Sequence, residues 1–306
     1  MHDFRKIGSR LSNWNRWGPD DQRGTLNFIT AERIRAAAAE VTSGEVFELS
    51  LPLGPGSPAW RTSLTRVRPM HVMTSLPGQW GPELEGTFAS DDWLMMPLQG
   101  ASQWDGLGHF GYDDYFYNGV HMSQVDAGGA ARNGIERSMP GVVSRGVLLD
   151  IAGLRGVDWL QAGQGIMPAD LEAAEERQGV RVQSGDALLV RTGWGLKAAA
   201  EGWEGWTSAE PGLTLESAEW LHQREVAAVA SDNSSVEVQP NQLGSHIYPV
   251  HAVLIRDMGM TLGEIFNLED LAASCARDGR WSFLISAPPL RIPKAVGSPA
   301  TPIVIK

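Results

Sequence analysis

The densest group of reactive side chains lies in Gln99-Gly-Ala-Ser-Gln103-Trp-Asp105-Gly-Leu-Gly-His109. Within eleven residues it offers two amide oxygens, one carboxylate and one imidazole. Three glycines and two small residues let this backbone turn tightly and come close to a ligand. Convergent oxygen and nitrogen donors of this kind suit a divalent metal or an acid/base pair. On spacing alone, a Gly-rich turn with solvated polar side chains and a hydrogen-bonded histidine is the plainer alternative. A second group is Ser245-His246-Ile-Tyr248-Pro-Val-His251, followed by Glu264 in GMTLGEIFNLEDL. His251 opens the apolar run HAVLI, so its ring belongs at the edge of a core, where a backbone-bonded histidine is the ordinary occupant. Glu264 stands before a helix, where a simple helix-entry charge would serve as well. His246 and Tyr248 come close before His251, within reach of a substrate bound there.

Both groups need rigid elements to bring them together. WLMMPLQ (93–99) leads into the first group and reads as a short buried strand. GVVSRGVLLDIAG (141–153) and GDALLVRTG (185–193) are the clearest strands, each bounded by glycine. Between them Pro168 opens a helix, PADLEAAEERQG, that glycine closes. LTLESAEWLHQRE (213–225) reads as an amphipathic helix, VAAVASD (226–232) as a strand, and NLEDLAASCARDG (267–279) as a helix capped by Asn267. Thr30 caps a further helix through AERIRAAAAEV; VFELSLPL (46–53), WSFLISAPPL (281–290) and the final IVI complete the strands. The polar, Trp-rich residues 1–25 read as an arm with no core of its own, and residues 26–306 as one α/β domain. The GxGxxG fingerprint, the GxxxxGK[ST] loop and the GxSxG elbow are all absent, against a Rossmann oxidoreductase, a P-loop NTPase or a serine α/β-hydrolase.

Composition narrows the field further. The chain has 306 residues, enough for a sizeable core without covalent staples. Its single cysteine, Cys275, excludes an internal disulfide framework and a Cys-based zinc cluster. Lys+Arg number 25 against 36 Asp+Glu, a net charge of −11 that argues against a nucleic-acid partner and an anionic membrane. No apolar run approaches the ~20 residues of a membrane span, and no signal-like segment opens the chain, so the expected location is the cytoplasm.

The two reactive groups together resemble the cyclase / kynurenine-formamidase family of metal-dependent hydrolases. That family carries HxGTHxDxPxH, then a distant His followed by a Glu about a dozen residues later. QGASQWDGLGH aligns with it without gaps: Gln99 and Gln103 stand at the first two histidines, Asp105 on the aspartate and His109 on the last histidine. His251 and Glu264 fit the downstream pair. RWGPDDQRGTLN, FELSLPL, YNG, RGVLLD, GDALLVRTGW, DN-x-x-x-E, GEIFNLEDL and GSPATPI are also similar to its longer members. The QxxxQxDxxxH form resembles the trans-dienelactone-hydrolase-like branch.

The resemblance implies an α/β fold of the mixed-sheet β/β/α, swivelling-domain type. It implies metal ligation by Gln103, Asp105, His251, Glu264 and Gln99, with His109 as the acid/base. Amide oxygens in place of imidazoles shift the preference from Zn(II) toward Mn(II), with one metal per chain. Asp105 and His251 are then the surest ligands, Gln103 the next, and Gln99 an alternative substrate contact. Trp60 resembles the family's substrate-facing tryptophan; Trp80, Trp104 and Trp194 are pocket or core residues, and Arg61, Arg66, Arg68 and Arg191 could meet a substrate carboxylate or form ion pairs. The expected function is metal-dependent opening of a small lactone, cyclic amide or N-formyl amide. A metal-assisted cyclase, isomerase or dehydratase acting on an oxo-acid, or an inactive small-molecule binding protein, are the rival readings. The expected assembly is a homodimer or homotetramer, with the N-terminal arm packed on a neighbour.

Overall fold

Along a β-strand successive side chains point to opposite faces, and the central strands here are apolar on both. In Val142–Asp150, Val147 and Leu149 enter one buried layer while Val142 and Leu148 enter the other. Ala187–Arg191 repeats the pattern, with Leu188 and Val190 against Ala187 and Leu189. A sheet buried on both sides must carry cover on both sides, and that is the architecture of the computed structural model, which describes residues 3–53, 66–79, 85–244 and 248–306.

The nine-stranded mixed sheet runs in the order Val46–Glu48, Ile303–Ile305, Ser282–Ala287, Val142–Asp150, Ala187–Arg191, Ala228–Ser231, Thr261–Glu264, Gln103–Asp105, Gly297–Pro299. Its centre, from Val142–Asp150 to Thr261–Glu264, is parallel, and the flanking strands pair antiparallel. Parallel neighbours need crossovers, and helices supply them. Pro168–Gln178 links the first two central strands; proline opens it, and Gly179 ends it in the left-handed conformation at φ 64. Ser217–Gln223 precedes Ala228–Ser231. A short turn, Pro249–His251, runs into a π-helical segment, Ala252–Asp257, ahead of Thr261–Glu264. No described helix is long and apolar enough to cross a membrane.

Four sequence expectations change. WLMMPLQ is not a buried strand: Asp91–Met95 pairs only with Met70–Ser75 among the described residues, and its side chains are exposed. Of VFELSLPL only Val46–Glu48 is strand. The helix read over 213–225 covers Ser217–Gln223, because Leu213 is bound in β fashion to Ile166 and to Val236. The N-terminal segment, read as an arm without a core, contributes side chains to this chain's own core. Thr30 does cap Ala31–Ala39, but before it Phe4 and Leu11 join this chain's own core. Asn13 and Trp14 donate to the carbonyls of Met258 and Arg256 at 2.9 and 2.7 Å.

Gly263 shows how tightly the site-bearing strand is packed from behind. A methyl group there would lie 2.5 Å from the Ala230 Cβ and 2.7 Å from the Trp104 ring. Such overpacking costs about 1–3 kcal/mol. Gly263→Ala is therefore expected to lower the thermal unfolding midpoint by several degrees in differential scanning calorimetry; an unchanged midpoint would show that the strand yields.

Candidate metal centre

Register brings the first two acidic groups together. Gln103–Asp105 lies antiparallel to Thr261–Glu264, with Gln103 directly opposite Glu264 and Asp105 opposite Leu262. With a period of two, Gln103, Asp105 and Glu264 share one face, while Trp104 and Gly263 face the opposite core. Trp104 is anchored there by its Nε1–H to the Ala287 carbonyl at 2.9 Å and by the Phe266 ring. Glu264 is the last residue of its strand, so the group collects at the carboxyl end of the parallel strands, where open α/β sheets bind ligands.

His251 completes the group from the helical turn before the π-helical segment. Ligand atoms of Asp105, His251 and Glu264 all lie within 4.8 Å of one another, and all three residues are buried. His251 Nε2 is 3.2 Å from Glu264 Oε1 and 3.9 Å from Asp105 Oδ2. Its Nδ1 is 2.6 Å from Glu237 Oε1, and Glu237 also accepts the backbone N–H groups of Val250 and His251 at 3.2 and 3.0 Å. Glu237 therefore fixes both the ring and the turn that carries it, the usual partner arrangement for a metal-bound histidine. DN-x-x-x-E in the sequence contains this residue, but it drew no role there, because only the fold sets it against His251.

Backbone strain marks the same two places. Val236, just before Glu237, has φ 60, and Ile265, just after Glu264, has φ 64. β-Branched residues avoid this left-handed region, and each such residue costs about 1–3 kcal/mol. Hydrogen bonds enforce both: Val236 N donates to Asn233 Oδ1 at 2.9 Å, and Ile265 N to the Asn233 carbonyl at 2.9 Å. One asparagine thus secures the bends on either side of the histidine.

The donor set fits a divalent cation. Gln103 Nε2 donates to Glu264 Oε2 at 2.7 Å and to Asp105 Oδ1 at 3.3 Å. Gln103 Oε1 and Asp105 Oδ2 are buried with no hydrogen-bond partner among the described residues, as is Gln99 Nε2. Orphaned buried acceptors are expensive unless a cation or water meets them. Burial, then the Asp105 charge, push Glu264 up to about 7. Burial alone would lower His251, but the hydrogen bonds from its ring to Glu237 and Glu264 prevail and raise it to about 10. The fully buried Glu210, bound by the Ser234 N–H and by the Ser234 and Ser235 hydroxyls, is raised by burial to about 8. Without a cation the cluster must take up protons; with one, the carboxylates can ionise.

His109 stands beside these groups. The Gly106-Leu-Gly108 turn brings its Nε2 to 3.6 Å from Asp105 Oδ2, with a fifth of the side chain exposed. Burial, then the positive charges of His251 and Arg66, hold its pKa below the ordinary imidazole value, against the pull of Asp105. Tyr248 packs its ring 5.5 Å from the His251 ring, and Phe110 lies 5.7 Å from the same ring. The other candidates divide. The Gln99 amide lies against Gly297, the residue paired with Asp105 in the next strand. Trp104 and Trp194 are core. Arg191 is committed to Glu269 and Asp150. Arg66 acts on the centre through its charge, which is felt at Glu264, His109 and Tyr248. Trp60, Trp80, Arg61 and His246 lie outside the described residues.

Comparison with known proteins agrees with this picture. Residues 47–238 match the family model described as "Putative cyclase". A crystal structure described as a novel cyclase is 37% identical, with 96% of this chain and 99% of that chain covered and a TM-score of 0.88. Isatin hydrolase A from Ralstonia solanacearum is 19% identical over 90% of this chain and 98% of that one, with a TM-score of 0.64. Isatin hydrolase A from Labrenzia aggregata is 18% identical over 88% and 94%, with a TM-score of 0.61. These last two share the fold. No curated protein matches. With more than half its length matched by the family model and a 37% identical structure covering nearly all of it, the chain belongs to the cyclase family.

Proposed function

We propose that this protein is a metal-dependent hydrolase that opens a small lactone, cyclic amide or N-formyl amide, in the manner of the trans-dienelactone-hydrolase-like branch. The observation that carries the reading is the convergence of Asp105, His251 and Glu264, with the His109 imidazole 3.6 Å from Asp105. Asp105, His251 and Glu264 would hold one divalent cation, with the Gln103 amide oxygen as a further donor after rotation of the amide. Two carboxylates, one imidazole and an amide oxygen favour Mn(II) over Zn(II). Such an ion supplies Lewis acidity toward a carbonyl and makes water a better nucleophile at neutral pH.

The chain's own groups do the rest. Neutral His109, its pKa lowered by burial, accepts a proton at Nε2 and returns it to the departing oxygen or nitrogen. Glu237 keeps a proton on His251 Nδ1, which leaves the Nε2 lone pair toward Asp105 and Glu264. Phe110 and Tyr248 form an aromatic wall against the imidazole, suited to a flat substrate. Arg66 offers positive charge near this wall for a carbonyl substrate bearing an acidic group. A retained general base beside the carboxylates disfavours the inactive binding protein. A proton abstraction from an oxo-acid would use the same His109, and product analysis separates that route from hydrolysis.

Protein purified without chelator is expected to contain metal and to open an aryl lactone or cyclic amide in a spectrophotometric screen. Asp105→Ala should lose the metal, measured by plasma emission analysis; full stoichiometry in that variant would sink the assignment. His109→Ala should keep its metal yet lose about 10²–10⁴-fold in kcat. Loss of metal from that variant would make His109 a ligand instead. Gln103→Ala should weaken metal binding and regain activity with excess Mn(II).

The brace makes a separate claim. Glu237→Gln keeps the shape but not the charge, so metal affinity by calorimetry should fall about 10–100-fold, the usual effect of losing such a partner. An unaltered affinity would make Glu237 a purely structural carboxylate.

A further inference from the structure

Gln103 and Gln99 carry the same side chain, but a different atom of each is left unsatisfied. At Gln103 it is the oxygen, a buried acceptor; at Gln99 it is Nε2, a buried donor with no acceptor among the described residues. A cation can meet the first and not the second, because an amide N–H carries positive partial charge. An oxygen atom of a ligand can meet the second, and until it does the buried donor is costly.

The sheet determines where that donor sits. Gly297 is directly opposite Asp105, on the side of Gln103–Asp105 away from Thr261–Glu264. Opposed residues of antiparallel strands point to the same face, with Cβ atoms about 4.5–5.5 Å apart. A side chain at position 297 would therefore stand beside the Asp105 side chain. Glycine has none, and the Gln99 amide fills its place: Nε2 lies 2.5 Å and Cδ 3.2 Å from where a Cβ would be. Asp105 thus has His251 and Glu264 on one flank and an unspent N–H on the other, with His109 Nε2 at 3.6 Å.

We infer that Gln99 is a catalytic hydrogen-bond donor, whose Nε2–H meets the substrate oxygen on which negative charge develops. This role rests on the hydrolytic reading above and gives Gln99 a task other than metal ligation. As water adds to the carbonyl carbon and yields a proton to His109, the C=O π pair moves onto oxygen. The pair returns as the C–O or C–N bond breaks, and the leaving atom takes the proton back from His109. Charge on that oxygen rises and falls within this sequence. A donor already held in place therefore favours the charged stage over the bound substrate. Burial strengthens the contact, since little water screens it. The missing side chain of Gly297 is what lets the amide lie there.

Gln99→Met keeps the length of the side chain without a donor, and Gln99→Glu offers oxygen alone. With dihydrocoumarin as the aryl lactone, Gln99→Met is expected to retain full metal by plasma emission analysis. Its KM should change less than about threefold while kcat falls about 10²–10³-fold. Gln99→Glu should also keep its metal and lose kcat. Gly297→Ala leaves the glutamine intact but puts a methyl group where its amide lies, in strand backbone that alanine tolerates. Displacing the amide should cost about 10²-fold in kcat, and this variant carries the test if those at Gln99 do not fold. Loss of metal from Gln99→Met, or full activity in Gln99→Glu, would make Gln99 a ligand and overturn the donor role. A raised KM with unchanged kcat overturns it equally. If the wild type opens no lactone, the hydrolytic reading fails separately. Calorimetry with phenylphosphonate, whose oxygens mimic a tetrahedral oxyanion, then decides for Gln99: about tenfold weaker binding to Gln99→Met supports the donor, and equal binding removes it.

Discussion

Two carboxylates that share a buried pocket need a counter-charge, and the local structure around Asp105 and Glu264 is organised by that need. Both lie on the same face of adjacent antiparallel strands, nearly free of solvent. Water cannot screen them, so their repulsion acts at low effective dielectric. Among the described residues the positive groups that act on Glu264 are His251 and, more remotely, Arg66. Without a cation, protonation of Glu264 and His251, both raised in pKa, relieves the repulsion. A divalent cation relieves it better, because it satisfies Asp105 Oδ2 and Gln103 Oε1, which accept no hydrogen bond from any described residue. Electrostatic demand and unsatisfied acceptors thus point to the same ligand.

Holding such a cluster together requires stiffness, and the fold provides it from behind. Trp104 and Gly263 alternate with the site residues and face the second core layer, where the ring and the bare backbone interlock. A shift of either strand by one residue would exchange the two faces, exposing tryptophan and burying carboxylates among aliphatic side chains. Packing on one face therefore sets the register that chemistry needs on the other. The left-handed bends at Val236 and Ile265 extend the same logic into the loops. Their unfavourable conformations persist because Asn233 binds both, and they turn Glu237 and Glu264 inward toward the histidine.

The regions outside the main sheet follow different physics. The N-terminal segment is polar in composition, yet it is seated by a few apolar residues, by ion pairs such as Arg5–Asp113 and Arg10–Glu219, and by side-chain bonds to backbone carbonyls. The ribbon of Met70–Ser75 and Asp91–Met95 is apolar in composition yet exposed, because it pairs with no other described strand. Hydrophobicity along a sequence reports the wish for burial, not the partner that supplies it.

The sequence by itself determined much of the local structure. Apolar runs bounded by glycines located Val142–Asp150 and Ala187–Arg191, and Pro168 with Gly179 delimited a helix almost to the residue, because these signals act through one residue and its neighbours. The spacing Gln103-x-Asp105 already placed two donors on one face of an extended segment, and the likeness to a known motif singled out His251 and Glu264. Only the tertiary structure decided the rest. Glu237 is 14 residues before His251, and no local rule predicts that its carboxylate will reach the Nδ1 of that ring. Gln99 has the same chemistry as Gln103, but its amide reaches its place over Gly297 only through the pairing of that strand with Gln103–Asp105. WLMMPLQ has the composition of a core strand and lies on the surface. In each case the outcome depends on which distant element packs alongside, and that is a property of the assembled sheet, not of any stretch of chain.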